Sequence, residues 1–69
     1  MDYHFIIVVN FGQYRIGWDG IHAVQPGETR MQAYAAILAR TRERAASKGI
    51  PVAHEMPTFF SLEPNQFGA

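Results

Sequence analysis

His4, His22 and His54 are the only imidazoles in this chain, so metal or acid–base chemistry would have to start from them. A zinc site draws on histidines and carboxylates at short, defined spacings. No His-x-His or His-x₃-His pair occurs, and only His54-Glu55 sets an imidazole next to a carboxylate. His4 and His54 are expected on adjacent strands, where the two could approach; structural or surface histidines are the favoured reading. Cysteine is absent, which removes disulfides, thiolate metal sites and thiol nucleophiles together. Ser47 and Ser61 lack a nucleophile elbow or a base placed to activate them. Asp19, Glu28 and Glu55 lack the paired spacing that general acid–base work would need. Gly17, Gly20 and Gly27 form no phosphate-cradling loop, because no lysine follows them in the required pattern. This inventory names no catalytic residue, no metal ligand set and no cofactor, and a non-enzymatic protein is expected.

Charge is the other chemistry on offer. Five of the six cations (Arg30, Arg40, Arg42, Arg44 and Lys48) fall in one predicted helix, whereas Asp2, Asp19, Glu55 and Glu63 lie outside it. At about 100° per residue, Met31, Tyr34, Ala35, Leu38 and Ala45 make the apolar stripe of that helix. Arg40 and Arg44 project away from the stripe, and Arg30 and Lys48 share a flank near Ile37. Together these four are predicted to form a basic ridge on the outward side. Such a ridge could hold phosphates while aromatic side chains, Trp18 and Phe59 among them, stack on bases. Formal net charge is zero, however, and the acidic remainder repels a long polyanion. Nucleic-acid binding is therefore the alternative reading. Arg42 projects close to the middle of the apolar stripe. Either its stem packs while the guanidinium reaches water, or a carboxylate fixes it: Glu55, Glu63 or one across a dimer interface.

The elements that must position these groups follow from pattern. Tyr3 to Phe11 is β-branched and aromatic throughout, apolar on both faces in its middle, as in a central strand covered on two sides. Gln13 to Trp18 alternates cleanly and is predicted to pair with it through a turn at Asn10–Gln13. Asp19-Gly20 reads as a second turn, opening a short extension from Ile21 to Val24. Thr29-Arg30-Met31-Gln32 fits a capping box, with Glu28 just ahead suited to the positive end of the helix dipole. Gly49, Ile50 and Pro51 supply the stop, so the helix is predicted over about 30–48. Pro57 divides the last stretch, and Thr58 to Leu62 is the predicted third strand. Glu63-Pro64-Asn65 reads as a turn and Phe67-Gly68-Ala69 as a frayed end.

The predicted fold is therefore a small α+β two-layer sandwich, ββαβ, filling residues 1–69 as one domain. The first strand is central, the other two are edges, and the helix lies over the Phe5-Ile7-Val9 face. Ile6, Val8 and Phe59 are then left on the opposite, solvent-facing side, the kind of patch that marks an interface. With 69 residues and no cysteine, the chain is short enough to need good packing or a partner subunit. Its 48% hydrophobic content is too high for disorder. The apolar run Phe5 to Val9 is too short to span a bilayer and has no cationic lead-in, so a cytoplasmic protein is expected. These features predict a protein–protein interaction module of bacterial or phage origin, acting as an accessory, adaptor or inhibitor protein and as a homodimer. Its candidate partner-binding residues are Ile6, Val8, Trp18, Arg42 and Phe59.

Overall fold

A computed structural model describes residues 1–66. The chain runs β1 (Asp2–Phe11), β2 (Tyr14–Ala23), α1 (Arg30–Ser47) and β3 (Glu55–Pro64). The strands form one antiparallel sheet in the order β2-β1-β3, with α1 packed on one side as the Phe5-Ile7-Val9 pattern requires. The Phe67-Gly68-Ala69 end lies outside the described residues.

β1 and β2 are joined by Gly12 and Gln13 alone, since Phe11 pairs with Tyr14. Gly12 has φ +62°, the left-handed region that a two-residue hairpin demands at its first loop position and that glycine enters without steric cost. The turn is thus Phe11–Tyr14, one residue on from Asn10–Gln13. Asp19-Gly20 is not a turn at all, because β2 continues through it to Ala23. Gly20 pairs with Phe5, and a Cβ built on Gly20 would meet Phe5 Cζ at 3.0 Å. The Phe5 ring fills the space that the missing side chain leaves, and in effect repairs a strand that glycine would otherwise weaken.

β3 is likewise longer than predicted, running from Glu55 to Pro64 with Pro57 inside it and Pro64 opposite Tyr3. A proline is tolerated there because β3 is an edge strand. Pairing also slips by one residue at this point: Val8 faces Phe59 but Val9 faces Pro57, leaving Thr58 as the bulged residue. The Thr58 hydroxyl donates to the Val8 carbonyl at 3.3 Å.

The helix begins and ends on the predicted signals. Thr29 and Gln32 form the reciprocal capping box. At the other end Gly49 has φ +76°, with Ile50 N–H donating to Ala45 O and Gly49 N–H to Ala46 O, the two bonds of a Schellman stop. Its buried face is rotated from the predicted stripe. Ala33, Ile37, Leu38, Thr41 and Ala45 are buried, whereas Met31 is 79% exposed and Ala35 is also on the surface. The stripe is centred nearer Ile37 than a ranking by hydrophobicity suggests, because small Ala33 and Ala45 and polar Thr41 let the helix approach the sheet. Phe5, Ile7, Val9 and Phe11 from β1, Ile16 from β2 and Leu62 from β3 complete the core.

Candidate interaction surfaces

The chemistry-bearing side chains sit at four places, three of them on the helix side of the sheet. Along β2, Trp18 faces the helix. Its ring meets Phe5 edge-on at 5.0 Å between centroids, and its indole N–H donates to Thr41 Oγ1 at 3.0 Å. Thr41 is fully buried and its own hydroxyl donates to Ile37 O at 2.8 Å. One hydroxyl therefore serves as donor and acceptor and leaves no buried polar atom of this pair unsatisfied. Arg44 and Arg40 lie over the Trp18 ring, at 4.7 and 5.3 Å from its centroid. Arg40 also donates to Ile21 O at 3.2 Å.

On the β3 flank Arg30 lies 5.3 Å from the centroid of Phe60, itself edge-on to Tyr34, and reaches Leu62 O at 3.5 Å. Arg42 makes a fork with Glu55, Nε to Oε1 at 2.5 Å and Nη2 to Oε2 at 2.9 Å. This pair holds Glu55 below the usual carboxylate range and raises Arg42, in both cases chiefly through the shared hydrogen bond. Of the two readings of Arg42, the ion pair is the one realised. Arg42 also lies at the flank of the buried face, not in its middle, because the true stripe is rotated away from it.

The outward basic ridge predicted from Arg30, Arg40, Arg44 and Lys48 is not present as such. Rotation of the helix brings Arg40 and Arg44 over the Trp18 edge and Arg30 over the Phe60 edge, within cation–π distance of the rings while still exposed to solvent. Only Lys48, at the helix C-cap, keeps a purely solvent-facing position in that set.

At the third place His22 Nε2 donates to Glu28 Oε2 at 2.6 Å, and Glu28 Oε1 accepts from Gln25 N at 2.9 Å. Both side chains are largely buried, and the carboxyl lies below its ordinary value, first because of the Gln25 amide and then because of His22. The pair ties β2 to the turn that enters the helix. Sequence spacing hid it, because six residues and a Pro-Gly turn separate the partners. His4 and His54 do not approach: His4 pairs across the sheet with Glu63 and Ile21, while the carbonyl of His54 accepts from Gly12 at the far end of β1. Among the described residues no three His, Asp or Glu side chains gather as a metal site would require.

The fourth place is the uncovered face of the sheet. The register sets Gly17, Val8 and Phe59 in one row across the strands, Asp19, Ile6 and Ser61 in the next, and Ile21, His4 and Glu63 beyond. Ile6 is 39% exposed and Phe59 53% exposed, with Ile21 and Met56 extending the apolar area. His4 Nε2 lies 2.9 Å from Asp19 Oδ2, and Arg15 donates to Asn10 Oδ1 at 3.3 Å, so polar pairs frame the patch at both ends. Of the predicted partner-binding residues, Ile6, Val8 and Phe59 are brought together here. Trp18 and Arg42 lie behind the sheet, one packed against the helix and the other paired with Glu55. Compared with known protein families, curated proteins and solved structures, the chain matches none.

Proposed function

We propose that the protein is a non-enzymatic protein–protein interaction module, an accessory, adaptor or inhibitor protein of bacterial or phage origin acting in the cytoplasm. It binds through the uncovered face of the sheet. The observation that carries this reading is the row Gly17–Val8–Phe59 with Ile6 beside it: contiguous apolar surface on regular backbone, rimmed by polar pairs. A sheet normally buries one face and solvates the other with polar side chains, and this one leaves apolar side chains on both. The chemistry-bearing groups on the helix side support the same reading, since Arg30, Arg40, Arg42 and Arg44, Trp18 and the His22–Glu28 pair all make contacts within the fold. No helix of the described residues is long and apolar enough to cross a membrane.

The test is an affinity capture with the immobilised chain from nuclease-treated host lysate, beside a Val8→Asp variant. A protein retained by the native chain and lost by the variant supports the reading. Equal capture by both sinks it. The nucleic-acid alternative makes the opposite demand: binding would fall steeply between low and moderate salt, whereas an apolar contact responds little.

A further inference from the structure

Building on the proposed binding face, we infer that its occupant is a second copy of this chain, packed sheet on sheet with the strands of the two copies antiparallel. The result is a four-layer α/β/β/α dimer.

Three observations lead there. First, the sheet's edges are partly obstructed to strand addition. Arg40 and Arg30 reach from the helix to a carbonyl on each edge strand, Ile21 O on β2 and Leu62 O on β3. Pro57 and the Thr58 bulge further interrupt the β3 edge. Capped carbonyls, proline and bulges are the devices that prevent edge pairing, so association is directed to the face.

Second, the face is charged unevenly along its length. Asp2, Asp19 and Glu63 lie toward one end and Arg15 toward the other, with the apolar row between them. In a pairing with parallel strands, each acidic end would meet its own copy. In the antiparallel pairing, each acidic end meets an Arg15. The register makes this specific: Asp19 pairs with Ile6 and Arg15 with Asn10, two positions either side of Val8. A two-fold axis through the Gly17–Val8–Phe59 row therefore sets Arg15 of each copy over Asp19 of the other. Gly17, with no side chain on this face, lets the two sheets approach at that axis.

Third, the size fits a copy of the same small sheet. Three strands about 4.8 Å apart and ten residues long offer roughly 450 Å², or about 900 Å² over two copies, by ordinary strand spacings. That is below the range of stable specific interfaces and fits a weak, transient contact. The dimer is accordingly expected in reversible, concentration-dependent exchange in the micromolar range.

Sedimentation equilibrium of the intact chain, from about 1 µM to 1 mM, tests this with four proteins: native, Arg15→Glu, Asp19→Lys and the double charge swap. Circular dichroism confirms folding of each. The native chain should dimerise, each single reversal should weaken the dimer about tenfold, since it turns two attractive contacts repulsive, and the swap should recover most of the loss. A native chain monomeric throughout, or a dimer indifferent to both single reversals, overturns the inference. The lysate capture separates this failure from that of the wider reading: a monomer that still loses its partner on Val8→Asp retains a binding face but not for itself.

Discussion

Thr41 shows how much one side chain carries in this fold. A ranking by hydrophobicity sets it outside the core, yet it is fully buried because its hydroxyl satisfies both the helix carbonyl behind it and the Trp18 indole before it. Thr41→Val keeps the shape and removes the acceptor, which strands the indole N–H. A loss of about 1–2 kcal/mol is expected in urea titrations followed by Trp18 fluorescence. The carboxylates give a second prediction. Glu28 and Glu55 both titrate below their unfolded value, so the folded state binds fewer protons than the unfolded chain in this range. Their contribution is then fully present above the unfolded carboxylate pKa and is lost as pH falls through the folded one. The urea midpoint should drop on acidification below about pH 4.5, the ordinary glutamate value. That acid limb should be shallower in Glu28→Gln and Glu55→Gln. An unchanged limb in both would show that neither pair is linked to folding.

At the scale of elements, glycines were the least legible letters. Asp19-Gly20 has the composition of a turn, and nothing local distinguishes it from one. Pairing with β1 makes it strand, with the Phe5 ring set against Gly20. Gly20→Ala sets a Cβ 3.0 Å from Phe5 Cζ in the core, and about 1–3 kcal/mol of destabilisation is expected from the forced ring shift. Gly17→Ala meets only Val8 Cγ2 at 3.5 Å on the open face, so its thermal midpoint should stay within a few degrees of the native chain. Equal effects of the two substitutions would contradict this account of β2. His54 sits at φ +54° ahead of β3, a left-handed position that costs a residue with a Cβ but not glycine. His54→Gly should therefore stabilise by up to about 1 kcal/mol, as read from a denaturant midpoint. The helix boundaries, by contrast, were legible, because capping and Schellman signals act within a few residues of each other. Its rotation was not: small residues at Ala33 and Ala45 decide how closely it packs, and hydrophobic ranking undervalues them.

For the whole molecule, the arginine-rich helix changes meaning once it is docked. In isolation its cations look like a surface for phosphates. Against the sheet, Arg40 and Arg44 lie over Trp18, Arg30 over Phe60 and Arg42 pairs with Glu55, so most of that charge has a contact on the sheet. A triple Arg40, Arg44 and Lys48→Gln variant should accordingly lower the thermal midpoint by several degrees, where a solvated ridge would leave it unchanged; Arg44→Gln alone tests the shortest of the ring contacts, 4.7 Å from the Trp18 centroid.

Element order, strand order, the helix span and the apolar character of both sheet faces followed from the sequence alone. They rest on local rules: periodicity of two or 3.6, capping residues and turn formers read within a window of a few residues. The tertiary structure decided the continuity of β2 through Gly20, the inclusion of Pro57 and Pro64 in β3, the rotation of the helix and the partners of its arginines. Each of these depends on which atoms meet across the sheet or between layers, and those distances are set by register and packing that no stretch of the chain encodes by itself.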